Sequence, residues 1–436
     1  MPDLLRSEIA IGLMLSAAMV GPAVGVHAAE WHTSADLRER YQSFTNLDFN
    51  AAKNDRRWEF DSRLFLESRT EFGNGLSLYL QPQAILIRNS DQSQTPQQQN
   101  LTQSDLYQAW LQYRRDHFSL RLGRQTLVYG DQRLLGHLGW KDVARTFDGV
   151  KFSLRLDQIK VDHFIVHPAD LTSMTPTATA PHGQSLVTWE DRRLIGVYAT
   201  YEPRKGNGLD GYWINWMHGA QAAAGTVGRN IHTFGARLFG AGMGFDATAE
   251  AVFQRGDWVG GVSQRASAYA IVAGYTLNGW HTRLGIEYDF SPGDDKGDAA
   301  THKDFVFPFH TNHAHYGEMD RFSWANMRDL RLSLKSAPTE GLAFKTDLHL
   351  LRLDKAQGDW LNVVGTAPLY KGAAGYTQTR AGTEVDIKLI YQPAGVQGLK
   401  LVGFYGLFTP GAAVSERNGG HADGARFGYL IGRYRF

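Results

Sequence analysis

The sequence predicts an all-β fold, a single transmembrane antiparallel β-barrel of about 18 strands preceded by an N-terminal signal peptide. Three observations predict it. One short apolar run stands at the N-terminus and no long one follows it. Segments of roughly ten residues, the length of a tilted membrane-crossing strand, alternate apolar and polar along the rest of the chain. The last of them, Arg426–Phe436, ends on an aromatic residue.

Ile9 to Val26 is apolar and rich in small residues, broken by Gly21 and Pro22 before Val26-His27-Ala28. Small or aliphatic residues at the −3 and −1 positions suit signal peptidase, so cleavage is expected after about Ala28. Residues 1–28 then form the signal peptide and 29–436 one barrel domain. Removal of Arg6, Asp3 and Glu8 leaves 44 basic against 42 acidic residues. That balance excludes a general basic field for nucleic acid. The 436 residues contain no Cys, which removes disulfide frameworks, thiolate metal sites and Cys nucleophiles together. Without a second long apolar run, a bundle of membrane helices is excluded, but a barrel with half-apolar strands is not.

Period-two alternation marks a strand whose faces meet different media. Phe60, Leu64 and Leu66 alternate with Glu59, Asp61, Arg63, Glu67 and Arg69. Phe245, Ala247, Ala249, Ala251 and Phe253 alternate with Asp246, Thr248, Glu250 and Gln254. Leu284, Ile286 and Tyr288, then Leu330, Leu332 and Leu334, then Val385, Ile387 and Leu389 repeat the pattern against charged neighbours. Strands are expected to begin near residues 31, 58, 76, 104, 117, 149, 158, 192, 211, 230, 243, 264, 281, 327, 342, 380, 399 and 426. Trp58, Tyr113, Tyr288 and Tyr391 sit near strand ends, as interfacial aromatic girdles require. Gly73-Asn74-Gly75 and Asn278-Gly279 read as short periplasmic turns. Asn89–Thr102, Ala169–Glu190, Ser291–Trp324 and Gln357–Thr379 read as extracellular loops or segments folded into the lumen. At the C-terminus Gly428, Leu430, Gly432, Tyr434 and Phe436 share one face and Arg433 and Arg435 the other. A terminal Phe with Tyr two residues earlier is the kind of signal read by the barrel assembly machinery. The whole places the protein in the Gram-negative outer membrane, with lipid as its surroundings.

The densest run, Gly123–Gly136, continues through Trp140 to Arg145–Val150 and abandons simple alternation. Chain leaving the ladder must find new backbone partners, so this stretch is expected to enter the barrel interior. Here the sequence resembles the alginate export family of outer-membrane barrels. The resemblance rests on Arg124-Gln125, Tyr129–Leu134 (Tyr-Gly-Asp-Gln-Arg-Leu) and Arg145–Val150 (Arg-Thr-Phe-Asp-Gly-Val). Gly285–Asp294, Phe309–Asp320, Gly382–Asp386 and Phe408–Gly411 agree with it, so it spans most of residues 55–436. It implies an 18-stranded barrel whose Arg- and Lys-lined constriction passes acidic polysaccharide outward.

Guanidinium groups make paired contacts with carboxylates, and several weak sites let a polyanion slide without sticking. The expected pore-lining residues are Arg63, Arg69, Arg124, Arg133, Arg145, Arg331, Lys345, Lys388, Arg433 and Arg435, with Arg121 beside them. Asp131, Asp148, Glu287, Glu384 and Asp386 are the expected acidic supports. The bland alternative is a lattice in which these acids, with Asp61 and Asp347, simply pair with the arginines. His310, His313 and His315 have a spacing that suits a transition metal, but loop histidines are more often solvated or hydrogen-bonded, so no metal or cofactor is assigned. Glu384 and Asp386 share a face without standing out as a glycosidase pair, and no nucleophile, zinc-protease or phosphate-loop motif occurs, so no catalytic residue and no enzyme activity are assigned. Three functions compete. The first is export of alginate or a similar anionic polysaccharide, and the second is selective uptake of small anionic or aromatic compounds. The third is a soluble periplasmic glycan-binding β-protein.

Overall fold

In a computed structural model of the chain, the described residues are 30–53, 55–90, 101–169, 192–218, 228–258, 261–307, 309–363, 365 and 368–436. The expected signal peptide and parts of all four expected long links lie outside them. Eighteen strands form the barrel: β1 (Glu30–Thr45), β2 (Arg57–Glu71), β3 (Leu76–Asn89), β4 (Leu101–Arg115), β5 (Phe118–Gln125) and β6 (Thr146–Leu156). They continue as β7 (Ile159–Ala169), β8 (Arg192–Arg204), β9 (Asn207–His218), β10 (Arg229–Gly242), β11 (Phe245–Asp257) and β12 (Ser263–Leu277). The last six are β13 (Thr282–Ser291), β14 (Met327–Thr339), β15 (Leu342–Leu353), β16 (Arg380–Tyr391), β17 (Leu399–Pro410) and β18 (Ala425–Arg435). The expected starts fall on these strands to within a few residues, the largest departure being β9.

Each strand pairs antiparallel with its chain neighbour, and β18 returns to β1 in a register running from Asp36↔Arg435 to Thr45↔Arg426. Beyond it Phe436 closes the seam. Its N–H donates to Ala35 O (3.0 Å), its carbonyl accepts from Ala35 N–H (2.7 Å), and its ring stacks on Tyr434. The β3–β4 ladder shifts register between Gln81 and Pro82, where proline has no N–H to give.

Links alternate in length around the ring. At one end are tight turns such as Asp116-His117, Asp157-Gln158 and Met243-Gly244, whose first residues adopt positive φ as hairpin turns demand. The Gly73–Gly75 turn needs its last glycine, because a Cβ on Gly75 would sit 1.8 Å from Arg114 O. The long links all lie at the other end, which is the extracellular end of such barrels.

The burial pattern is inverted relative to a soluble sheet. Leu430 (65% exposed), Leu238, Ile271, Ile286, Ile387 and Leu389 face outward, whereas Asp61, Glu287, Asp289, Asp329 and Glu384 are buried inward. The outward Trp58, Tyr113, Tyr288 and Tyr391 stand near strand ends as expected. Inside, the long links fill the lumen with a core of their own. Phe49, Leu127, Leu135, Phe305, Val306, Tyr316, Phe322 and Trp360 are buried there against strand residues Phe147, Phe164 and Phe408.

Candidate functional site

Two links meet inside the barrel. The segment 126–145 leaves β5 and is met by 292–326. Gly136 N–H donates to Phe309 O (2.9 Å) and Thr311 N–H to Gln132 O (2.9 Å). Arg133 then pins the first link to the wall, donating to Asp289 (2.8 Å), to Glu287 and to the Tyr316 hydroxyl (3.2 Å). Burial disfavours its charge, but Asp289 and the other neighbours outweigh this and raise its pKa. Arg145 donates to the His310 and Gly136 carbonyls, and burial, with no carboxylate partner among the described residues, pushes it down to about 10.

The tip of the same link rests on β1 and β2. Arg38 and Arg40 donate to the Trp140 carbonyl (3.0 and 2.7 Å) and both pair with Asp142, while Arg40 also holds Asp61 at 2.7 Å. Arg63 reaches the carbonyls of Gly139 and Lys141. Trp140 stacks on His313, with ring centroids 3.9 Å apart. Both nitrogens of that imidazole face carboxylates, Glu318 and Asp320, each at 3.3 Å. Burial alone would lower its pKa, but the two acids raise it.

Toward the turn end the lumen wall is basic. Arg283, Lys335, Lys345 and Lys388 stand directly opposite one another on β13–β16. Lys400, Arg433, Arg38 and Arg63 do the same on β17, β18, β1 and β2. Like charges directly opposed destabilise a sheet, so two such rows over eight consecutive strands are costly. Some members are compensated: Arg283 by Asp246 (2.6 Å), Lys345 by Asp347 (2.5 Å), Lys388 by Glu318 (2.5 Å), and Arg433 with Arg435 by Asp36. Lys335 and Lys400 have no carboxylate partner among the described residues. A smaller basic pair, Arg121↔Lys151, lies on β5 and β6.

The acids of β7–β11, about half the ring away, are capped. Tyr129 donates to Asp162 (2.9 Å), Tyr198 to Asp210 (2.8 Å) and Tyr212 to Glu250 (2.6 Å), and the three rings stack in series. Arg237 joins Asp210 to Asp131. The wall thus concentrates cations over β13 to β2 and hydrogen-bonded acids over β7–β11.

The expected lining residues therefore divide. Arg69, Arg331, Lys345, Lys388, Arg433 and Arg435 are on the inward face with part of each side chain accessible. Arg69 pairs with Glu71, and Arg331 with Glu287 and the Ala314 carbonyl. Arg63, Arg133 and Arg145 are instead consumed in holding segment 126–145. Arg124 is a clear correction. It continues the outward row of Leu120 and Leu122 and makes a two-pronged pair with Asp148 (2.8 and 3.0 Å) at the loop-end rim. Asp148 is its partner there, and Glu287 and Asp131 anchor arginines. Glu384 and Asp386 accept the backbone N–H groups of Met319 (2.9 Å) and Glu318 (3.0 Å), which seats the second link.

The three loop histidines diverge. His310 binds the carbonyls of Phe307 and Val363, and burial lowers its pKa to about 4. His315 binds the Asp131 carbonyl (2.7 Å), and His313 lies between its two acids. Sequence reasoning missed Arg38, Arg40, Arg283, Lys335 and Lys400. Lys400 was signalled by Leu399 and Leu401 on either side, but only the strand register shows which cations oppose each other.

The alginate export family matches residues 30–428. Solved structures share the fold over almost the whole chain. OccK8 (OprE) of Pseudomonas aeruginosa has a TM-score of 0.64 at 15% identity, covering 93% of this chain and 98% of its own. OccAB4 of Acinetobacter baumannii has a TM-score of 0.62 at 14% identity, covering 94% and 99%. OccK2 (OpdF) of Pseudomonas aeruginosa, solved in complex with glucuronate, has a TM-score of 0.60 at 11% identity, covering 93% and 98%. No curated protein matches the chain in sequence.

Proposed function

The chain belongs to the alginate export family, and from that premise we propose that it is an outer-membrane channel that exports alginate or a similar anionic polysaccharide. The observation that carries the proposal is the accessible part of the two like-charge rows, Arg283–Lys335–Lys345–Lys388 and Lys400–Arg433, since Arg38 and Arg63 at the end of the second row are taken up in holding segment 126–145. A fold that needed these cations only for stability would set each against an acid. Lined up side by side, they form successive weak sites along which a polymer of carboxylates moves from one to the next. Asp36, Asp347 and Glu318 hold the cations in place and keep each site weak enough to release its ligand. Residues 1–28 serve as the signal peptide, the barrel assembly machinery inserts 29–436, and Arg69, Arg331, Lys345, Lys388, Arg433 and Arg435 contact the cargo.

Uptake of a small anionic solute is the second reading. The buried core of long links inside the lumen favours it, since such packing suits a single sugar acid better than a polymer. The glucuronate bound to OccK2 is a solute of that kind. Current block separates the two. Oligouronates added on the turn side of the channel in a planar bilayer should interrupt the current in events that lengthen with chain length, while neutral oligosaccharides of equal length pass unnoticed. Block by the monomer but not by the oligomers would support uptake and contradict export.

A further inference from the structure

A groove lies on the outside of the barrel, across the seam where β17, β18 and β1 meet. Its volume of about 460 Å³ falls within the range of small-molecule sites. The register explains its shape. Ser43, Gly428 and Tyr405 are directly opposed on the outward face, and Gly403 lies opposite Leu430 one pair further along. The missing side chain at Gly428 leaves a dent walled by Tyr41, Tyr405 and Leu430, all three exposed on the outside. Arg56, just before β2, and Arg426, opposite the last residue of β1, stand at the loop end of this dent. No acid lines the groove, and neither guanidinium pairs with a carboxylate among the described residues.

An apolar slot with two unpaired cations at its outer end has the chemistry of a site for an anionic amphiphile. Its height on the barrel decides which one. The loop end faces the outer leaflet, whose lipid is a phosphorylated, multiply acylated glucosamine disaccharide. We propose that this seam groove binds lipid A, with one phosphate between Arg56 and Arg426 and an acyl chain laid over Gly428. Guanidinium groups pair with phosphate through parallel N–H bonds, and the apolar walls of the groove beside them strengthen the contact. The site lies on the lipid side of the wall, apart from the luminal cations, so it does not depend on what the channel carries.

Native mass spectrometry of the full-length barrel in detergent tests this. The probes are hexa-acyl lipid A, its dephosphorylated form, phosphatidylglycerol and inorganic phosphate. The expected result is one lipid A per barrel, weak binding of the other three, and roughly tenfold weaker lipid A binding by the Arg56→Glu/Arg426→Glu double variant. Gly428→Leu keeps both cations but fills the dent, and should also weaken lipid A while leaving single-channel conductance unchanged. Gel mobility before and after heating shows that each variant is folded. Lipid A binding that survives dephosphorylation, an unchanged affinity in the double variant, equal binding of phosphatidylglycerol, or a second barrel copy in place of the lipid would each overturn the assignment.

Discussion

Replacing Arg133 with Met should loosen the segment 126–145 from the barrel wall. Its guanidinium is almost fully buried and serves three partners on two elements, Glu287 and Asp289 on β13 and Tyr316 in the second link. Removing it strands Asp289, which is 0% exposed, and leaves Glu287 to Arg331, so the loss is that of breaking a buried pair, roughly 3–5 kcal/mol. Met preserves most of the volume, so little of the loss comes from a cavity. Arg124→Ala is the matched control, because sequence placed the two residues in one class. Its partner Asp148 is partly exposed at the rim, so the pair contributes roughly 1 kcal/mol or less. Thermal unfolding of detergent-solubilised protein, followed by the loss of the compact gel band, compares the two. Bilayer recordings should show added current noise for Arg133→Met alone, as the freed segment samples the lumen. Equal and small effects from both substitutions would refute the assignment of Arg133 as the clamp.

Two further outcomes follow from the same contacts. Stability should peak near neutral pH. His313 has a raised pKa, so its contribution is fully present below its ordinary value of 6.5 and is lost as pH rises through the folded value. His310, lowered to about 4, contributes in the opposite sense, and stability falls as pH drops from about 6.5 toward 4. Melting curves from pH 4 to 9 should show both limbs, and His313→Gln should remove the alkaline limb alone. Deleting Phe436 removes both backbone bonds to Ala35 and the stack on Tyr434, so the folded fraction in isolated outer membranes should drop while the little that assembles keeps its conductance.

Strand positions were legible because each outward face must be apolar and each inward face polar, and that leaves a period-two trace in Leu284-Gly285-Ile286-Glu287-Tyr288 or Leu399-Lys400-Leu401. The interior path of 126–145 was legible for the same reason, as a place where the trace stops. The roles of individual arginines were not. Arg38 and Arg40 meet Asp142 about a hundred residues away through the inward fold of segment 126–145, and Arg433 meets Asp36 across the whole chain through closure of the ring. Whether Lys345 faces an acid or two other cations depends on the register with β14 and β16, which local sequence does not state. The outward turn of Arg124 was within reach, since Leu120 and Leu122 lead directly to it. Its place in a charged motif pointed the other way.

The zero-current potential under a potassium chloride gradient tests the basic rows most directly. Wild-type protein in a planar bilayer should prefer chloride. Lys335→Glu, Lys345→Glu and Lys400→Glu together change both rows of cations into mixed ones without touching Arg38, Arg40, Arg63, Arg133 or the Lys388–Glu318 pair, so the barrel and its docked segment should persist. The potential should then move through zero to cation preference, and uronate block should vanish with it. A triple variant that folds and conducts with the wild-type potential would contradict the account.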